Sequence, residues 1–153
     1  MRILHALLGE HGALYPLLTM IENTAGASGL EQLHAQADCL RSTLGSHADL
    51  EDELLRPAIQ KYLPPPPATP DGKAAATDHE VIGEGLSAVI ASRDAGHARR
   101  LLLETVAITR KHFHKEETII FRIAARELTF DDQERLGAEW ARRRGVCAAS
   151  RCE

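Results

Sequence analysis

Four long segments of this chain carry apolar residues at spacings of three and four, the period that buries one face of an α-helix. No segment alternates apolar and polar residues as a half-buried strand does, and aromatic residues make up only 4% of the chain. Each apolar stripe must be covered by another helix. The pattern therefore predicts an all-α protein, with helices at residues 3–22, 30–62, 75–92 and 97–128.

Short connections between long helices favour antiparallel neighbours, so we expect an up-down antiparallel four-helix bundle. Pro16 lies inside the first helix and is expected to kink or loosen one turn. The run of prolines that begins at Pro64 predicts a stiff spacer, in preference to a peptide-recognition motif.

A short fifth helix is predicted over residues 131–144, with Asp131 or Asp132 as its N-cap. We accordingly divide the chain into a bundle domain at residues 1–128 and a short C-terminal helix with a flexible tail at residues 129–153.

The charge balance excludes some partners. Eighteen basic and 22 acidic residues give a net charge of -4, which argues against a nucleic-acid surface. No apolar run reaches the roughly 20 residues needed to span a bilayer, and the N-terminus is a poor signal peptide. We expect a cytoplasmic protein without nucleic-acid or membrane partners, present as a monomer or homodimer.

The three cysteines are too scattered for a zinc knuckle or a disulfide framework. Cys39 falls in a helical pattern and is predicted as a small buried side chain. Cys147 and Cys152 lie in the tail, where we expect thiols without a role.

Polar residues interrupt all four apolar stripes. The second and fourth helices each carry a histidine followed four residues later by a glutamate, which places both side chains on one face, one turn apart. The first and third helices each add one inward histidine. The six residues are His11, His47, Glu51, His79, His112 and Glu116.

Together these six groups predict metal binding. Burying one polar group without a partner costs roughly 2–7 kcal/mol, and six of them would exceed the roughly 5–15 kcal/mol by which a domain is stable. Hydrogen bonds among the six are the alternative, but cations at the centre satisfy them more simply. Each half of the pattern supplies two imidazoles and one carboxylate, enough for one ion, so two ions are expected.

The ligand types favour iron over manganese and zinc. Mixed imidazole and carboxylate ligands without a thiolate suit all three metals. Two histidines and one carboxylate per ion leave coordination positions open, as redox iron sites require, whereas structural zinc usually has a closed shell.

At these positions the chain resembles the hemerythrin family, specifically its bacterial HHE cation-binding branch. The likeness covers about residues 3 to 127 and includes Glu10-His11, Asp78-His79-Glu80 and Ile120-Phe121 beside the histidine–glutamate pairs. The resemblance implies a non-haem di-iron centre, bridged by two carboxylates and an oxo or hydroxo group, that binds oxygen, peroxide or nitric oxide. It implies the same six ligands.

Two departures from the family pattern bear on function. Oxygen carriers have a second histidine one turn after the third-helix ligand, where this chain has Gly83. They also have an aspartate where this chain has Glu117, and we assign Glu116 as the ligand because it repeats the spacing of Glu51. The missing histidine would leave a further coordination position open on one iron. This favours reaction with peroxide or nitric oxide, or iron release, over simple oxygen carriage.

Three classes of function remain open. The first is a di-iron protein that binds oxygen or a related molecule. The second is a di-iron enzyme that removes peroxide or nitric oxide, or an iron donor for iron–sulfur cluster repair. The third is a structural metal-binding bundle whose outer faces bind a partner. The sequence does not decide whether the protein is an enzyme.

Several further residues lie near the predicted ligands. Tyr15 is either a core tyrosine with a bonded hydroxyl or a hydrogen-bond donor or redox residue behind the ligands. Glu80 and Glu117 each neighbour a ligand. Either could accept a hydrogen bond from a ligand imidazole of an adjacent helix, but we predict in preference that both face solvent. The surface histidines are predicted to be His5, His34, His97 and His114.

Overall fold

A computed structural model describes residues 1–64 and 76–146, and every regular element in these ranges is a helix. The all-α prediction is therefore confirmed for this part of the chain. Most of the proline spacer lies outside the described residues, as do Cys147 and Cys152. The α-helices are α1 (Ile3–Thr24), α2 (Leu30–Leu50), α3 (Arg56–Ile59), α4 (Asp78–Ala91), α5 (Ala95–Lys115), α6 (Phe121–Glu127) and α7 (Phe130–Arg143).

The helix ends follow from capping chemistry. Helix α1 runs through Pro16 without a break. Helix α4 starts with a capping box, in which the Thr77 side chain accepts from the Glu80 amide and the Glu80 side chain accepts from the Thr77 amide. The prediction of Asp131 or Asp132 as the N-cap of α7 is wrong. Thr129 holds that position, since its hydroxyl accepts from the Asp132 amide.

Two π-helical turns interrupt the longest predicted helices. They span Glu51–Leu55 and Glu116–Ile120, so each begins at the glutamate of a histidine–glutamate pair. A π turn contains one extra residue, which shifts the following side chains by about 100° around the helix. Ile119 follows the buried His112 by seven residues and would share its face in a regular α-helix, but this shift leaves it 51% exposed.

Two apolar clusters form the core. The first joins α1, α2, α4 and α5, with Leu18, Leu40 and Leu102 among its fully buried residues. The second joins the start of α1, the π turn after α2, α6 and α7. Three of the six polar residues, His11, His47 and Glu116, fall along the chain between a residue of one cluster and a residue of the other. The fold therefore encloses a polar layer between two apolar layers.

Helix α7 packs closely on the beginning of α1. A Cβ atom at Gly137 would lie 2.1 Å from the carbonyl oxygen of Met1 and 2.9 Å from the amide nitrogen of Ile3. Only a glycine permits this approach of the two backbones. Leu136 and Trp140 of α7 are buried in the second cluster.

One prediction about the core is wrong. Cys39 is exposed, because it follows the inward-facing Ala37 by two residues and so points away from the stripe. Among the described residues, no helix is long and apolar enough to cross a membrane.

Candidate metal centre

The structure brings all six predicted residues to one place in the interior. Their atoms fall into two overlapping groups, one containing His11, His47 and Glu116, and the other containing Glu51, His79, His112 and Glu116. Within each group the candidate ligand atoms lie within 4.8 Å of one another. Glu116 belongs to both groups, since Oε2 lies 3.2 Å from His11 Nε2 and Oε1 lies 2.9 Å from His112 Nε2.

These groups are almost completely shielded from solvent. His11, Glu51 and Glu116 are 1–2% exposed, and the His79 side chain, at 11%, is the most accessible of the six. Glu51 Oε2 and both carboxylate oxygens of Glu116 are buried without a hydrogen bond. Buried polar atoms normally have a partner, so three such oxygens at one point indicate that a cation fits between them.

All four histidines direct Nδ1 away from the centre and onto a carboxylate. Each carboxylate comes from a different helix or turn than its histidine. The distances from Nδ1 are 2.8 Å to Glu117 for His11, 2.7 Å to Glu10 for His47, 2.9 Å to Asp52 for His79 and 3.3 Å to Asp78 for His112.

This arrangement assigns the tautomer of each neutral imidazole. Because Nδ1–H donates to a carboxylate, Nε2 carries a lone pair. The two Nε2 atoms are 3.2 Å apart in the His11–His47 pair and 2.9 Å apart in the His79–His112 pair. Lone pairs at these distances repel unless a proton or a metal ion lies between them. The imidazole–carboxylate pairs are the same device that orients histidine ligands in metalloproteins.

Each outer carboxylate is itself held by a donor. Tyr15 Oη lies 3.2 Å from Glu117, and Arg56 Nε lies 2.6 Å from Asp52. Lys115 Nζ lies 2.8 Å from Asp78. Glu10 is held by Trp140 of α7 and by Arg144, the residue that follows α7 directly. Tyr15 therefore packs against the first cluster and also donates a hydrogen bond behind a ligand, in agreement with both alternatives.

Sequence reasoning did not identify Glu10, Asp52 and Asp78 as partners of the ligands, and it held the bond of an imidazole to Glu117 to be the less favoured alternative. Glu117, predicted to face solvent, has a side chain only 29% exposed and bonds His11. Glu80 is exposed as predicted. A second repeat in the sequence could have indicated these carboxylates. An acidic residue directly precedes the histidine ligand of α1 and of α4, and another directly follows the first glutamate of each π turn. These acids are Glu10, Asp78, Asp52 and Glu117.

The electrostatics of the centre favour positive charge. Burial and the neighbouring Glu116 raise the pKa of Glu51 to about 7. Burial acts in the same direction on Glu116, but the surrounding imidazoles outweigh it and hold the pKa of this carboxyl well below its usual range. Burial alone would lower the pKa of His79, yet Asp52 and the two glutamates raise it to about 11. The buried carboxylates thus favour positive charge at the centre, whether it is carried by protons on the imidazoles or by a metal cation.

A small cavity adjoins the imidazoles of the centre. Its volume is about 100 Å³, and it is bordered by His47, His79 and His112 on one side and by apolar side chains such as Ile82 and Phe113 on the other. Gly83 lies in its wall, and a Cβ at this position would meet no atom within 4 Å. The site is therefore open to a molecule of a few atoms.

The histidines predicted at the surface stay apart from the centre. His5, His97 and His114 are exposed. His34 is half-buried, and its Nε2 lies 3.0 Å from the Ser92 carbonyl oxygen, which it caps at the end of α4.

The comparisons with known proteins agree with this geometry. A protein-family model described as the hemerythrin HHE cation binding domain matches residues 2–124 of the chain. A search of curated proteins and a search of solved structures found no match.

Proposed function

Because this chain belongs to the hemerythrin HHE cation-binding family, we propose that its six convergent residues bind two iron ions and that this centre binds oxygen, peroxide or nitric oxide. The observation that carries the proposal is the set of three buried carboxylate oxygens without a hydrogen bond, one on Glu51 and two on Glu116. Leaving such groups unpaired costs roughly 2–7 kcal/mol each. Cations at this point would satisfy all three.

The ligands divide between two ions. His11 and His47 would hold one ion and His79 and His112 the other, with Glu116 common to both and Glu51 beside the second. Two imidazoles with a shared carboxylate leave positions open on each ion. Iron at such positions supplies binding of small molecules and one-electron redox chemistry when it is bound. The four outer carboxylates orient the imidazoles, and the surrounding apolar clusters limit the access of water.

The cavity beside His79 and His112 supports a small ligand. Its apolar lining favours an uncharged diatomic or triatomic molecule over a charged metabolite. The same cavity would serve an enzyme that removes peroxide or nitric oxide. Turnover of either compound by the iron-loaded protein, faster than by free iron, would assign the enzyme. Reversible colour change without turnover would assign the binding protein.

The first experiment measures metal content and the absorption spectrum after iron-replete expression, first reduced and then in air. We expect about two irons per chain and near-ultraviolet charge-transfer bands that appear in air. One colourless zinc per chain, or no metal, would contradict the proposal and leave a structural bundle.

A pair of variants tests the ligand assignment. The double variant Glu51→Gln/Glu116→Gln removes both central carboxylates and should abolish binding of two ions. The matched control, Glu31→Gln/Glu84→Gln, changes two exposed glutamates and should retain the wild-type metal content. Two tightly bound ions in the first variant would refute the assignment.

A glycine variant tests the route of the small ligand. Gly83→Leu should fill the cavity, because Gly83 lies in its wall and a Cβ added there would meet no atom within 4 Å. The variant should slow the colour change in air while the iron content stays the same. Gly12→Leu places the same residue at an exposed position of α1 as the control. Equal rates in both variants would show that the ligand does not use this cavity.

A further inference from the structure

Helix α7 reaches the candidate centre from beyond the family match. The match ends at residue 124, whereas Trp140 and Arg144 lie at the C-terminal end of α7. Both side chains donate to Glu10, the carboxylate that accepts from His47. We propose that α7 is part of the metal centre, in which Trp140 and Arg144 position His47 for metal binding through Glu10.

The two oxygens of Glu10 have separate tasks. Oε1 accepts from Trp140 Nε1 at 3.1 Å and from Arg144 Nε at 2.7 Å. Oε2 lies 2.7 Å from His47 Nδ1. A carboxylate held at both oxygens is fixed in position, and it therefore fixes the orientation and tautomer of the imidazole. The Glu10 and Arg144 side chains are 15% and 25% exposed, so solvent screens this ion pair only in part.

Arg144 also holds the backbone next to the ligand. One terminal nitrogen lies 3.1 Å from the carbonyl oxygen of Ser46, and the other donates to the Ser46 hydroxyl. Ser46 immediately precedes His47. The planar guanidinium thus joins α1 and α2 at the level of the ligand, a geometry that a lysine cannot reproduce.

The helix that carries these residues is firmly attached. Gly137 permits backbone contact with the start of α1, and Leu136 is buried in the second apolar cluster. Arg143 forms an ion pair with Glu53 in the first π turn. Trp140 and Arg144 therefore project from a fixed element, as residues that position another group must.

The expected size of the effect follows from known outer partners of metal ligands, whose loss typically weakens metal binding by about 10–100-fold. Trp140 and Arg144 act on His47 through Glu10, so we expect the lower end of that range. This inference rests on metal binding at the proposed centre, but it does not depend on which small molecule the centre binds.

The test measures how fast a chelator removes metal from the loaded full-length protein. In Trp140→Phe/Arg144→Ala, we expect one of the two ions to be lost about 10-fold faster than in the wild type. Arg142→Ala is the control, because Arg142 is 72% exposed and pairs with Glu139 on its own helix. A wild-type rate in the double variant overturns the inference.

Chemical rescue separates positioning from a general loss of stability. A cleft of about 330 Å³ borders Glu10, Ser46, His47 and Arg144, so small cations can reach the vacated position. Millimolar guanidinium should slow metal loss from Arg144→Ala and leave Trp140→Phe unchanged. Faster metal loss without rescue would assign Arg144 a structural role only and overturn the inference.

Two further outcomes are decisive. If the double variant does not fold, the same measurement is made on Arg144→Lys. This variant keeps the positive charge but lacks the planar guanidinium group with its several N–H donors. An intermediate rate then supports the inference and a wild-type rate overturns it. A wild-type protein that binds no metal overturns the proposed function together with this inference, whereas a loaded wild type indistinguishable from its variants overturns the inference alone.

Discussion

Glu51 and Glu116 occupy equivalent places in the repeat, yet their carboxyl groups differ in charge. Glu116 lies against imidazoles from three helices and stays ionised, whereas burial raises the pKa of Glu51 to about 7. Only Glu116 touches both histidine pairs. We infer that Glu116 would remain ionised beside both histidine pairs, and that Glu51 is the carboxylate whose protonation would respond to a bound metal.

Metal affinity should therefore fall as pH falls, with a slope that changes near pH 7. His79, with a pKa near 11, must lose a proton on binding throughout the neutral range. Below about pH 7 Glu51 must lose one too. Each displaced proton lowers the apparent affinity about tenfold per pH unit. A plot of the logarithm of the zinc affinity against pH should have a slope of at least about one above pH 7 and at least about two below pH 7.

Competition with a chelator of known proton affinity measures this slope between pH 6 and 8. Glu51→Gln provides the comparison. It removes the carboxyl group that titrates near pH 7 and should therefore abolish the change in slope. A constant slope in the wild type would contradict the assignment of Glu51.

At the residue scale, the sequence predicted the inner groups but, apart from the alternative weighed for Glu117, not their outer partners. The six central residues were recognisable because each falls on an apolar stripe of its own helix. An outer carboxylate such as Asp52 bonds a histidine on another helix. That pairing depends on how the helices dock, which the periodicity of one helix does not contain.

At the scale of elements, sequence reasoning predicted α7 as a fifth helix, but it predicted neither the two π turns nor the docking of α7 on α1. The periodicity gives the existence of each helix, and these predictions agree with the structure to within a few residues. A π turn adds one residue to the helix without requiring any special residue type. The sequence therefore contained no sign that Ile119 would be exposed. The docking of α7 depends on Gly137, a residue that lowers helix propensity and so weakens the local signal.

The contact at Gly137 gives a stability prediction. Gly137→Ala should destabilise the protein by about 1–3 kcal/mol, because the added Cβ would overlap the Met1 carbonyl group and force α7 away from α1. Gly9→Ala is the control, since a Cβ at Gly9 meets no atom within 4 Å and alanine favours a helix by up to about 1 kcal/mol. Urea unfolding of the metal-free proteins measures both changes. Equal stability would show that α7 does not pack this closely.

At the scale of the whole molecule, the polar layer separates two apolar clusters that are each complete. The apolar side chains of the two clusters cannot form hydrogen bonds with the buried polar groups of the layer. Metal removal should therefore destabilise the entire protein, because the free energy of metal binding contributes to the stability of the folded state only.

Thermal unfolding with and without metal tests this expectation. Metal at about 100 times its dissociation constant adds about 2.7 kcal/mol, which corresponds to a rise in Tm of about 5–10 °C for a domain of this size. The Glu51→Gln/Glu116→Gln variant should show no such rise. A wild-type Tm independent of metal would indicate that the layer is stable as an all-protein hydrogen-bond network.

The sharing of Glu116 between the two histidine pairs also matters for fragment complementation. Helices α1 and α2 carry one histidine pair, α4 and α5 carry the other, and Glu116 begins the π turn that follows α5. A chain cut between residues 64 and 76 would yield two polypeptides, of which the first has two histidines without their shared carboxylate. Iron would then join the two polypeptides, and recovery of a split fluorescent or enzymatic label fused to them would report metal in solution.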